Sequence, residues 1–350
     1  MKVPAVTLLA ISQFLPLLGA LAASSPQSGG YHLLKKVPLS AAPGGGEYFD
    51  YLNVDPAARR VYLSHGTEVK VVNADTGAVV GAISGLKRCH GIALVNDLGK
   101  GFITDGDAAK VVIFDVASLK VIGEVKTEPD ADSIIYEPAS KRILSFNGDP
   151  HSVTVIDPGN GTLVKSLPLG GAPEFAVADG QGMVYNNLED ENAIVAIDSR
   201  ALTIKMRWPV TPAGAPTALA MDRQHRRLFS SGRNPQMLVM MDADNGKVIQ
   251  SFPISSGADA NVYESETGLL FVSTREGMVH IFHEDSPDKL SEVETIKTEY
   301  GAKTMALDPI THKLYLTSSD FAAPATPTGH QPNPRRSAIP GTFRLLIYGR

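Results

Sequence analysis

The sequence predicts an all-β protein, a seven-bladed β-propeller with four antiparallel strands per blade. Tyr62, Ile103, Leu144, Tyr185, Phe229, Phe271 and Tyr315 recur at intervals of 41 to 44 residues, each inside a short apolar strand that follows a polar turn. Asn73, Asp115, Asp157, Asp198 and Asp242 form a second marker at the same period, each ending a third strand where a short polar side chain can cap the next turn. A period near 42 residues built from short strands is the signature of blades closed into a ring.

The third unit, SIIYEPASKRILSFNGDPHSVTVIDPGNGTLVKSLPL, shows four runs in which apolar and polar residues alternate. Its turns (Glu-Pro-Ala-Ser, Asn-Gly-Asp-Pro, Asp-Pro-Gly-Asn-Gly) supply bent and positive-φ positions. Unit seven provides Lys313 to Thr317 and Phe343 to Tyr348 as second and third strands, but no fourth. Tyr31 to Leu39, YHLLKKVPL, echoes the fourth strand of unit three and has no blade of its own. Setting it beside Phe343 to Tyr348 closes the last blade with the N-terminal strand and pairs two open edges.

Ahead of residues 31–350, the single propeller domain, residues 1–22 read as a signal peptide. Met1-Lys2 precedes an apolar stretch from Val3 to Leu21, and Ala20-Leu21-Ala22 supplies the small residues a signal peptidase reads, with cleavage expected after Ala22. The competing reading is an uncleaved anchor, against which Gln13 and Pro16 interrupt a run already short for spanning. Residues 23–30 form a flexible leader. The expected location is periplasmic or extracellular, with no stable membrane span after cleavage and a monomeric product.

A net charge of -5 over 350 residues, 20% of them charged, argues against a polyanion-binding surface, and nucleic acid is not an expected partner. Basic residues do punctuate the turns between first and second strands (Arg59-Arg60, Lys141-Arg142, Arg226-Arg227, Lys313), without the interleaved aromatics of a nucleic-acid site. Cys89 is the only cysteine, so no intramolecular disulfide is possible. Adjacent His90 invites a reading as nucleophile and base, but neighbours on a strand point to opposite faces, which favours a buried thiol.

Several stretches resemble the YVTN repeat, or YncE-like, seven-bladed propellers. Val184-Tyr185-Asn186-Asn187 stands at the Tyr-Val-Thr-Asn position and Ile194 to Asp198 at the Val-x-Val-Ile-Asp position; Phe102 to Asp105, Phe271 to Thr274 and Leu314 to Thr317 are degenerate versions. The resemblance implies an exported, rigid binding scaffold. With Trp208 as its single tryptophan, the chain lacks the repeated Trp-Asp of WD40 blades.

Counting back twelve from each periodic residue gives Asp50, Gly91, Asp132, Pro173, Thr217, Asp259 and Lys303, with His90 and Glu174 one place away. These positions begin the first strands, so they converge on one mouth of the central channel. Asp50, His90, Asp132, Glu174, Thr217, Asp259 and Lys303 are therefore the candidate ligand-binding residues, a polar cup for a cation or small polar ligand. Whether a metal occupies it stays open, and no cofactor is expected. Acidic residues crowd the same face in blades two to four, while Arg233, Arg275 and Arg335 fall in blades five to seven. Residues 319–342, a long proline-rich loop of blade seven, emerge there too, as a lid or a disordered segment. The reading favoured is a non-catalytic exported scaffold binding a small polar ligand or a protein at this face. The alternative is a lactonase-like hydrolase with His90 or Glu174 as general base and Arg233 or Lys303 stabilising an oxyanion.

Overall fold

The computed structural model describes Met1 and residues 29–44, 47–324 and 336–350. The signal-peptide and most of the leader expectations, together with Arg335, lie outside these residues. Among the described residues no helix is long and apolar enough to cross a membrane.

Seven four-stranded antiparallel sheets are present, as the period predicts. Blade one runs outward through Phe49–Asp55, Arg60–His65, Glu68–Asn73 and Val79–Ser84. The innermost strands of the next five blades are Cys89–Val95, Ala131–Glu137, Pro173–Ala178, Pro216–Asp222 and Ala258–Glu264. Blade seven orders Met305–Asp308, Lys313–Ser318, Arg344–Gly349 and finally His32–Pro38, which pairs His32 with Gly349 and Pro38 with Arg344. Each innermost strand contacts the next around the ring, and Met305–Asp308 meets Phe49–Asp55 to complete the circle.

Burial follows from stacking. Second and third strands are sandwiched between neighbouring blades, so Arg142–Asn147 and Ser152–Asp157 are buried almost throughout, whereas the outer Thr162–Pro168 is mostly exposed. Phe146, Leu144 and Val153 of blade three pack with Val184, Leu188 and Val195 of blade four, and comparable apolar layers fill the other junctions. Gly101 is required where it stands: a Cβ there would lie 2.0 Å from the Phe114 ring carried by the paired strand. The third-strand caps hold as the sequence indicates, with Asp115 Oδ1 accepting from Ser118 N at 2.7 Å and Asp157 Oδ1 from Gly159 N at 2.8 Å.

The basic turns are largely spent on joining blades rather than free for a partner. Arg59 of blade one reaches Asp308 of blade seven at 2.6 Å, and Arg226 of blade five reaches Asp179 of blade four at 3.4 Å. Arg227 binds Asp288 of blade six at 2.8 Å, whereas Arg142 binds Asp157 within blade three at 3.4 Å.

Candidate functional site

The inner strands do not run as uninterrupted ladders. In blades one to four the register slips at the channel mouth so that two residues face one: Asp50-Tyr51 opposite Ser64, His90-Gly91 opposite Thr104, Asp132-Ser133 opposite Phe146, and Glu174-Phe175 opposite Asn187. Blades five and six slip by one residue, at Thr217 and Asp259. Such bulges re-aim side chains and leave backbone groups needing other partners. Hydroxyls of the second strands supply them: Asp50 N donates to Ser64 Oγ at 3.1 Å and Gly91 N to Thr104 Oγ1 at 2.7 Å.

The bulges open onto a cavity of about 660 Å³ at the channel mouth, lined by Asp50, His90, Asp132, Glu174, Asp259, Lys303 and Arg233 among others. Six of the seven expected binding residues are thereby brought together. Thr217 is the exception. It is fully buried and donates through Oγ1 to Ala258 O at 2.7 Å, so it fastens blade five to blade six instead of facing the cavity. Cys89 points away from His90 into the apolar layer between blades, where burial pushes its thiol up to about 12. It is therefore inert at neutral pH.

An alternating chain of charges runs around the mouth. Lys303 Nζ lies 2.8 Å from Asp50 Oδ1 and 2.6 Å from Asp259 Oδ2. Arg233 pairs with Asp259 and, at 3.2 Å, with Glu189. On the other side Asp50 Oδ2 lies 2.9 Å from His90 Nδ1, which also faces Asp132 Oδ1 at 3.1 Å. Tyr48 donates its hydroxyl hydrogen to Asp50 Oδ2 at 2.8 Å, and Arg88 stacks 4.7 Å over its ring. Burial opposes ionisation of Asp50, but Lys303 and His90 outweigh it and hold its carboxyl well below the usual carboxylate range.

Burial alone would lower the His90 pKa, yet hydrogen bonds and charge from Asp132 and Asp50 push it up to about 10. The two carboxylates thus favour the protonated imidazole. Glu174 is shifted the other way for its type: burial, only partly offset by Arg233, pushes its carboxyl well above the ordinary value.

The His90 shift also fixes a pH dependence. Because its folded pKa of about 10 exceeds the ordinary 6.5, the charged ring contributes stability fully below pH 6.5 and loses it as pH rises through 10. The stability gap between the native chain and His90→Asn, measured by urea unfolding, is expected to be widest near pH 6 and to narrow steadily towards pH 10. A gap independent of pH would show that the ring is neutral.

Two features escaped the sequence reading. Tyr51 of blade one and Phe175 of blade four meet with ring centroids 4.7 Å apart and form part of the cavity lining. Tyr48 and Arg88, which precede the inner strands of blades one and two, complete the His90 corner. The described flanks of the 319–342 loop fold over the mouth: Phe321 pairs with Ala338 and packs edge-on against Tyr300 at 5.0 Å, while Arg336 stacks 4.8 Å over the same ring.

The walls differ in charge. Among the described residues blades three and four contribute Asp130, Asp132, Glu174 and Glu189 and no cation; blades five to seven contribute Arg233, Arg275, Lys303 and Arg336 against Asp259 alone. Among the described residues Asp130 has no ion-pair partner, and Arg275 comes only within 3.9 Å of Asp259.

No protein-family model matches the chain, and no curated protein matches it in sequence. Solved structures do. The RRP9 WD40 repeats are similar at a TM-score of 0.72 with 8% identity, over 89% of this chain and 100% of that one. A chain of a mitotic checkpoint complex gives 0.70 with 15% identity, over 98% and 99%. The hydrazine synthase of Kuenenia stuttgartiensis gives 0.68 with 14% identity, over 79% and 94%. At these identities the likeness is one of fold, the β-propeller.

Proposed function

We propose that this chain is an exported, non-catalytic scaffold of the YVTN or YncE-like kind that captures a small polar ligand, a zwitterion, in the channel-mouth cavity. The observation that carries the reading is the opposed charge of the cavity walls, acidic on blades three and four and cationic on blades five to seven. A ligand with an ammonium group directed at Asp130 and a carboxylate directed at Arg275 would complete both walls. An α-amino acid or a short peptide fits that description and the volume of about 660 Å³. The charges already cancelled within the protein, Lys303 with Asp50 and Asp259 and His90 with Asp132, then act as a rigid frame rather than as ligand contacts. Export rests on the apolar stretch Val3 to Leu21 with its Ala20-Leu21-Ala22 end. The protein-assembly context of one structural neighbour, a checkpoint complex, makes a protein presenting a free chain terminus a further candidate for the same cavity.

Calorimetric titration of the chain purified from the exported fraction, which should begin at Ala23, tests this with free amino acids, a neutral disaccharide and a dicarboxylate. Binding of at least one amino acid with a Kd below about 1 mM is expected, weakened about ten-fold or more by Asp130→Asn and by Arg275→Ala. Preference for the disaccharide or the dicarboxylate, or indifference to both substitutions, would overturn the reading.

A further inference from the structure

On the face opposite the cavity, one turn position repeats through all seven blades. Arg59, Gly99, Lys141, Gly182, Arg226, Gly268 and His312 each take a left-handed φ, between 50° and 115°, just before or at the start of the second strand. From this position a basic side chain reaches the acid that ends the inner strand of the preceding blade: Arg59 to Asp308, Arg226 to Asp179, and His312 to Glu264 at 2.8 Å. At the junction of blades five and six the position is Gly268, which has no side chain to offer Asp222. What arrives instead is a second acid, Glu284 of blade six.

Three donors therefore converge there. His225 Nδ1 lies 2.6 Å from Asp222 Oδ2 and 3.8 Å from Glu284 Oε1, and one ligand atom from each residue falls within 4.8 Å of the others. Asp222 is fixed by accepting from Gln224 N at 2.9 Å and His225 N at 3.1 Å. Tyr263 donates its hydroxyl hydrogen to Glu284 Oε2 and orients that carboxylate, while Glu284 Oε1 is buried with no hydrogen-bond partner; the Glu284 side chain is only 2% exposed. Burying an unpaired carboxylate oxygen beside a second carboxylate is costly unless a cation joins them. The nearby Arg227 is committed elsewhere, to Asp288 at 2.8 Å, Asp242 at 3.6 Å and His225 O at 2.9 Å.

We propose that Asp222, His225 and Glu284 form a divalent-cation site that takes Zn²⁺ and joins blade five to blade six. Two carboxylates bring the charge, and the imidazole selects a borderline transition ion over Ca²⁺ or Mg²⁺, which prefer all-oxygen sets. His225 is about one-third exposed and leaves a path to the site. Asp50, His90 and Asp132 present the same donor types in the channel, but there Lys303 already supplies the balancing charge.

Titrating the metal-free chain with Zn²⁺ by calorimetry and following its melting temperature test this. One equivalent is expected to bind at pH 7 and to raise the melting temperature, and Glu284→Gln and His225→Asn are each expected to weaken it by about 100-fold. His225→Asn alters a partly exposed turn residue, so its readout does not depend on the fold surviving a change in the blade interior. His90→Asn should leave this equivalent in place. Zn²⁺ binding that survives both His225→Asn and Glu284→Gln, or that is lost with His90→Asn alone, would overturn the assignment.

Discussion

Replacing Lys303 by alanine is expected to destabilise the propeller by about 3–5 kcal/mol, as is usual when one partner of a buried ionic network is removed. Among the described residues Lys303 is the single cation that touches both Asp50 and Asp259, and its side chain is only 16% exposed. Without it, Asp50 retains His90 and Asp259 retains Arg233, but each loses one of its two close cations while remaining largely buried. The pH dependence carries the diagnosis. In the native chain both carboxyls are held below their ordinary value, so their stabilisation is present above pH 4 and is lost as pH falls towards their folded values. In Lys303→Ala, burial is no longer outweighed, and both carboxyls can take up protons. The destabilisation measured by urea unfolding should therefore be largest near pH 7 and shrink on acidification towards pH 4. A cost below about 1 kcal/mol, or one independent of pH, would show that the two carboxylates relax into solvent.

The same network explains why the aspartates of the cup are unsuitable for a binding test. Converting Asp50 and Asp259 to asparagine strands Lys303 and weakens the hold on His90, so any loss of capture would be confounded with loss of structure. Asp130 and Arg275 stand on the walls with their charge less committed, and they separate the two effects.

Much of this was legible from periodicity. A period of 41 to 44 residues places every inner strand, and because alternation fixes which side chains face the channel, a constant offset of twelve reaches Asp50, Asp132, Asp259 and Lys303. The offset fails at Thr217 because its hydroxyl is short enough to be drawn back to Ala258 O across the blade junction. It misses Tyr51 and Phe175 because the bulges insert a second residue where strict alternation allows one. Bulges are set by the meeting of neighbouring backbones, as at Gly91, where a Cβ would lie 2.9 Å from Asp132 O, and such a contact leaves no local mark in the chain. Ion pairing was hidden for a related reason. Nothing local in the sequence marks the partners of Arg59 and Arg226, because only the stacking of blade on blade brings each against an acid of its predecessor.

Removing residues 29–39 is expected to abolish cooperative unfolding and drive the chain to self-associate. His32–Pro38 covers the edge of Arg344–Gly349, and most of its side chains are exposed, so its contribution is concentrated in the ladder and at its two ends. Tyr31 anchors one end: its ring packs 5.2 Å from Phe271 and its hydroxyl donates to His312 O at 3.0 Å. Leu39 anchors the other, buried between blades seven and one with its N–H donating to Phe343 O at 2.9 Å. Loss of the segment bares Leu345 and Ile347 on an unpaired strand edge, an arrangement that templates further strand pairing. Tyr31→Ala combined with Leu39→Ala separates the two contributions, since it keeps the backbone ladder while removing the anchors. Each large-to-small change in a packed site costs about 2–5 kcal/mol, so the double variant should remain folded but melt earlier, whereas the truncated chain should sediment as oligomers. A truncated chain that stays monomeric with a single sharp unfolding transition would show that the ring closes without the N-terminal strand.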